Sequence, residues 1–167
     1  MLFPRMGHMD PNRKPLYYQW MGRESGNPTM GDNLYYFMRY QVGWMYWRYF
    51  MWNFAGKQND IQGMSNKRDG NWISGISFID KMRLGDQSMM PDSLKNNKAN
   101  NKLYFLPLIL GLIGIFYQLM NHNKDFMVNL LMFLMTGLAI VFYLNQWGPQ
   151  PRERDYAFVG SFYAFAV

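Results

Sequence analysis

Leu103-Tyr104-Phe105-Leu106-Pro107-Leu108-Ile109-Leu110-Gly111-Leu112-Ile113-Gly114-Ile115-Phe116-Tyr117-Gln118-Leu119-Met120 carries no charge. A predominantly apolar run of roughly 17–25 residues is enough to cross a bilayer. Pro107 and the glycines are no obstacle, since lipid-embedded helices tolerate both residue types better than soluble helices do. A second charge-free run, Phe126 to Leu144, follows the short polar connection Asn121-His122-Asn123-Lys124-Asp125. Neither run has the polar face of a surface helix, so the pair reads as a transmembrane hairpin rather than as two soluble core helices. A third apolar run opens at Tyr156 and is still apolar at Val167, too short to span by itself. The expected fold is mainly α: a helical integral membrane protein fragment with full spans at about 103–120 and 126–144 and the start of a third from 156.

The whole-chain composition hides this arrangement. Of 167 residues, 49% are hydrophobic, 19% aromatic and 17% charged, which excludes a disordered chain. The absence of cysteine excludes a disulfide scaffold and thiolate-ligated zinc or iron–sulfur sites. His8 and His122 stand alone, which argues against a multi-histidine metal centre. The net charge of +6 is spread along the chain rather than gathered in a stripe, so nucleic acid is not an expected partner. No phosphate loop, dinucleotide fingerprint or nucleophile elbow is present.

Upstream of the hairpin, residues 1–102 read as an extramembrane region. Pro and Gly interrupt residues 1–28, and no apolar segment there has the form of a signal peptide. Thr29-Met30-Gly31-Asp32 fits a capping box, and the segment from there to Gly56 reads as one helix, about residues 30–55. Eleven of the twenty residues from Tyr35 to Phe54 are aromatic, and Arg39 and Arg48 are their only charges. Trp and Tyr favour the lipid–headgroup boundary, which makes this an interfacial helix. Burial against the rest of a larger protein and stacking on sugar rings are the alternatives, and Trp47, Arg48 and Asn53 are its candidate ligand contacts. Residues 57–101 are rich in Asn, Gly, Asp and Ser, with an amphipathic piece from Trp72 to Met82 whose period fits either a strand or a helix.

The chemistry gathers in the loop before the third run, Pro149-Gln150-Pro151-Arg152-Glu153-Arg154-Asp155-Tyr156. Four consecutive charges against a membrane helix are costly unless they are solvated, paired or serving a ligand. Arg152 and Arg154 suit a phosphate, because guanidinium forks bind its oxygens in pairs. Glu153 or Asp155 could orient them, hold a divalent metal or act as a base. The plainer reading is an interfacial salt-bridge cluster that fixes the loop. A hairpin returns to its starting side, so this loop and residues 1–102 share one face of the membrane. That region has 14 Lys/Arg against 8 Asp/Glu, and the positive-inside rule assigns such a face to the cytoplasm.

Three stretches resemble a polytopic membrane-protein family typical of Bacteroidetes. They are Tyr40-Gln41-Val42-Gly43-Trp44-Met45-Tyr46-Trp47-Arg48-Tyr49-Phe50-Met51-Trp52-Asn53-Phe54-Ala55-Gly56, Gln58-Asn59-Asp60-Ile61-Gln62-Gly63, and Gln150 to Tyr156 followed by Gly160-Ser161-Phe162-Tyr163-Ala164-Phe165-Ala166. The segment Leu94 to Lys102 is also similar. The family is similar to C-type glycosyltransferases related to the protein O-mannosyltransferases. The resemblance implies an enzyme of the bacterial inner membrane that transfers a sugar from a polyprenyl-phosphate donor to a protein or glycan acceptor. Arg152, Glu153, Arg154, Asp155 and Tyr156 would then lie on the donor side, outside the cytoplasm, against the charge count. The family's catalytic acid belongs to an early external loop that has no counterpart here, so no catalytic residue is carried over and this piece is expected to be inactive alone. A non-enzymatic membrane anchor or scaffold is the competing expectation.

Overall fold

The computed structural model describes residues 5–7, 11–23, 26–148 and 152–167. His8 and the prolines that bound the charged loop, Pro149 and Pro151, lie outside them. Among the described residues the fold is mainly helical and has no β-strand; a lone antiparallel bridge joins Lys57 to Trp72.

After α1 (Lys14–Met21), the aromatic segment forms one long continuous helix in three parts: α2 (Met30–Tyr36), a π-helix (Phe37–Trp47) and α3 (Arg48–Phe54). Thr29 caps it. Its hydroxyl accepts from Asp32 N–H, and the Asp32 carboxylate accepts from Thr29 N–H. The π segment is wound with N–H bonds that reach five residues back, as Arg48 N–H does to the Gly43 carbonyl. The wider turn suits a sequence whose buried side recurs at spacings of four and five: Tyr36, Tyr40, Met45 and Tyr49. Ordinary winding at 3.6 residues per turn would carry these positions around the axis.

This helix lies in the middle of the molecule. Phe50 packs on Phe133, Phe162 and Phe165, and Tyr46 on Phe133, Phe158 and Phe162. Most of its rings are therefore used in protein packing, while Leu34, Tyr35, Met38 and Trp47 face outward. The residues on either side of position 102 share one hydrophobic core.

Segments 55–58, 71–74 and 101–104 are laced together by backbone bonds, among them Gln58 N–H to Asn71 O, Ile73 N–H to Gly56 O and Leu103 N–H to Ala55 O. Gly56 sits at the crossing with φ +138°, where a Cβ would press on the carbonyls of Ile73 and Asn101. Between these segments come α4 (Ser77–Leu84) and α5 (Asp92–Lys95), so the Trp72–Met82 piece is helical from Ser77.

The apolar half consists of α6 (Leu106–Asn121), α7 (Asn123–Thr136), α8 (Leu138–Leu144) and α9 (Val159–Ala166). Residues 123–144 form a 22-residue helical stretch that is long and apolar enough to cross a membrane. The first expected span is shorter. Tyr104 and Phe105 take left-handed backbone angles (φ 52° and 59°), so the helix begins only at Leu106 and runs 16 residues. That is about 24 Å of helix against a hydrocarbon core of about 30 Å. Two full transmembrane helices are thus not shown; among the described residues one helical stretch, 123–144, has the length and apolar composition to span. Close approach explains Gly137 at the α7–α8 junction, where a Cβ would sit 2.6 Å from Ser161 Oγ and 2.7 Å from Tyr46 Oη. Those two hydroxyls hydrogen-bond each other at 2.7 Å.

Candidate functional site

The long aromatic helix grips both described ends of the segment that carries the charged loop. On the near side, Gln41 Nε2 donates to Asn145 Oδ1 (3.0 Å) and to the Gln146 carbonyl (2.8 Å), and Gly148 N–H donates to Tyr36 Oη (3.1 Å). On the far side, Arg48 and Tyr49 hold Glu153 and Arg154. The charged loop is therefore placed by side chains about 105 residues earlier in the chain.

Arg48 is 2% exposed. Its guanidinium donates to the Trp44 carbonyl (3.0 Å), the Gly70 carbonyl (2.9 Å) and both Glu153 oxygens (3.4 and 2.8 Å). Three rings enclose it, with centroids 4.2 Å (Trp44), 4.5 Å (Tyr49) and 4.4 Å (Trp52) from Cζ. Such faces attract a cation, the more so when it is desolvated. Tyr49 Oη also donates to Glu153 and accepts from Arg154 N–H at 3.0 Å. Burial pushes the Tyr49 phenol up, so it keeps its proton and works as this donor.

The arrangement changes the roles expected of the loop. Glu153 accepts from Arg48 and Tyr49 and is not a free base. The ion pair that fixes the loop is made with the aromatic helix rather than inside the loop. No described carboxylate lies within ion-pair reach of Arg152 or Arg154. Arg152 is exposed and, among the described residues, reaches Tyr156, donating to its hydroxyl at 3.4 Å. The Arg154 Nε is buried and has no hydrogen-bond partner. Asp155 is exposed and begins a 3-10 turn, Asp155–Phe158, that leads into α9.

Lys57 adds a further cation. Its ammonium lies 3.8 Å from the Trp52 ring centroid. Burial depresses its pKa, and the carboxylates of Asp155, Glu153 and Asp60 act in the opposite sense. Among the described residues, no three His, Asp or Glu side chains converge in the manner of metal ligands.

Of the residues singled out in the sequence, Arg48, Glu153 and Arg154 come together. Trp47 does not join them. It lies on the other face of the helix, stacked on Phe50, and helps line an apolar cavity of about 720 Å³ with Phe54, Leu108, Gly111 and Phe165. Asn53 is exposed, and its amide donates to the Tyr49 carbonyl (2.9 Å). Sequence reading missed Trp44, Tyr49, Trp52, Lys57 and Gly70. The i, i+4 spacing of Trp44, Arg48 and Trp52 was a usable signal, because residues four apart are neighbours on a helix. Nothing local marks Gly70. Comparison with protein-family models, with curated proteins and with solved structures finds no match to this chain.

Proposed function

We propose that the chain is part of a membrane glycosyltransferase of the C type, which passes a sugar from a polyprenyl-phosphate donor to a protein or glycan acceptor in the bacterial inner membrane. The observation that carries this reading is the charge balance of the loop. Arg48 takes up Glu153, which leaves Arg152 and Arg154 without a carboxylate partner among the described residues. As the sugar leaves the donor, negative charge grows on the phosphate, and prepositioned guanidiniums stabilise it. The Arg48–Glu153 pair positions the two arginines and takes no part in the transfer itself. The family resemblance of the loop and of the aromatic helix supports the same assignment.

Two further features agree with a lipid-tailed substrate. The apolar cavity between α3, α6, α7 and α9 presents aliphatic and aromatic walls. The outer faces of α6 and α7 expose Leu110, Ile113, Phe116, Val128 and Leu131, a surface suited to hydrocarbon. On this reading α6 lies in the bilayer beside the α7–α8 span, and the charged loop faces the donor side with residues 1–102.

The test is sugar transfer by the complete enzyme that contains this chain, reconstituted in membranes with a polyprenyl-phosphate-linked sugar. A charge-assisted hydrogen bond contributes about 1.5–3 kcal/mol, so Arg152→Ala or Arg154→Ala should lower turnover by about ten- to a hundredfold. The melting temperature should hardly change. Undiminished turnover in both variants overturns the role of the arginines. Absence of any transfer by the wild-type protein favours the anchor or scaffold reading.

A further inference from the structure

Helix α4 leaves two large apolar side chains uncovered by this chain. Its inward side holds a buried carboxylate, Asp80, one turn before the buried Leu84. Asp80 is buried and accepts from Ser74 N–H (2.8 Å), Ser74 Oγ (3.0 Å) and Gly75 N–H (2.8 Å). Arg83 stacks on Trp72, with Cζ 3.6 Å from the ring centroid, and donates to the Trp72 carbonyl. Its outward side is apolar: Phe78 and Met82, one turn apart, are each 74% exposed. Ile76 just before the helix and Met89 just after it are also exposed.

The position of α4 says what covers this face. Tyr104 N–H donates to the Ser74 carbonyl (2.9 Å), and a Cβ on Gly75 would meet the Tyr104 ring at 2.9 Å. The start of α4 is thus attached to the chain two residues before α6 begins its exposed apolar surface. Lys81, paired with Asp86 at 3.1 Å, Lys95, paired with Asp92 at 3.8 Å, and Lys102 stand around the cleft beside α4. Exposed apolar side chains next to lysines, at the mouth of an apolar helix, match the headgroup layer of an anionic bilayer.

We infer that α4 lies on the membrane surface and buries Phe78 and Met82 among lipid headgroups, with Lys102 at the mouth of α6 facing anionic lipid. The inference rests on the membrane reading of α6–α8 and is independent of the sugar-transfer reaction. It makes α4 a second anchor that sets the height of residues 57–102, and with them Lys57, above the bilayer.

The chain has no cysteine, so single cysteines can be introduced and labelled cleanly. The full chain would be placed, one copy per disc, in nanodiscs of phosphatidylcholine and phosphatidylglycerol. An environment-sensitive fluorophore would be attached in turn to Phe78→Cys, Met82→Cys, Lys67→Cys and Ile113→Cys. Shallow spin-labelled lipid should quench most of the emission at 78 and 82, which should also shift to the blue. Position 67, exposed and polar, should stay unquenched, and position 113 should respond to a deep quencher. If 113 is quenched while 78 and 82 behave like 67, the inference fails and the membrane reading stands. If 113 is not quenched, the membrane reading fails and the inference goes with it. A blue shift at 78 without lipid quenching means that protein covers α4, and that also overturns it.

Discussion

Glu153→Gln tests the central claim about the site, that the charged loop is held by a buried cation on a distant helix. The substitution keeps size and shape but removes the charge facing Arg48. In the wild type the two side chains are 3% and 19% exposed and 2.8 Å apart. Stranding one member of a buried pair typically costs about 3–5 kcal/mol. Here the guanidinium keeps the Trp44 and Gly70 carbonyls and three aromatic faces, which places Glu153→Gln near the lower end, about 3 kcal/mol. Arg48→Met also abandons the Gly70 carbonyl and should cost about 4 kcal/mol. Because each single change strands the other member of one pair and the double variant strands neither, Arg48→Met/Glu153→Leu should be more stable than the sum of the single effects, with a coupling of at least about 1 kcal/mol. Reversible unfolding in detergent, followed by tryptophan fluorescence, measures all three, and hydrogen exchange at residues 152–156 reports whether the loop has come loose. A Glu153→Gln change within about 0.5 kcal/mol of wild type, or additive single effects, would refute the reasoning.

Two further predictions concern packing and protonation. Gly137→Ala must displace Ser161, the Phe133 carbonyl or Tyr46, and should cost about 1–3 kcal/mol; Gly114→Ala, which meets nothing within 4 Å, should be close to neutral, so equal effects in thermal unfolding would contradict the packing described. The Lys57 ammonium titrates below the usual lysine value of 10.5, chiefly through burial. The unfolded chain therefore binds more protons between that lowered value and 10.5, and stability should rise with pH across this window. Lys57→Met should remove that part of the rise in a pH series of unfolding curves, and an unchanged slope would show that Lys57 is not its source.

Part of the site was legible before the structure. The four charges of the loop stand out because they adjoin an apolar run, where charge is costly without a purpose. Arg48 stands out as one of two charges between Tyr35 and Phe54 in an aromatic helix. What could not be read was that these features belong together. Glu153 has two arginine neighbours in its own loop, and local reasoning pairs it with them. The fold instead presents Arg48, already enclosed by rings and short of a counter-charge, at the same point in space. Trp47 illustrates the opposite error. It neighbours Arg48 in sequence, but a helix sends adjacent residues to different faces.

By itself, the order of residues determined the mainly helical character, the cap at Thr29 and the apolar runs that follow Lys102. Each of these depends on composition or spacing within a window of a few turns, so the controlling physics is local. Tertiary structure decided the rest. It shortened the first apolar helix, because Tyr104 and Phe105 turn left-handed where the backbone meets Ser74. It wound the middle of the aromatic helix with five-residue hydrogen bonds, so that rings spaced four and five apart share a buried side. It also chose Arg48 for Glu153. Backbone winding and ion pairing each offer several local solutions of similar free energy, and only packing against segments about 100 residues away separates them.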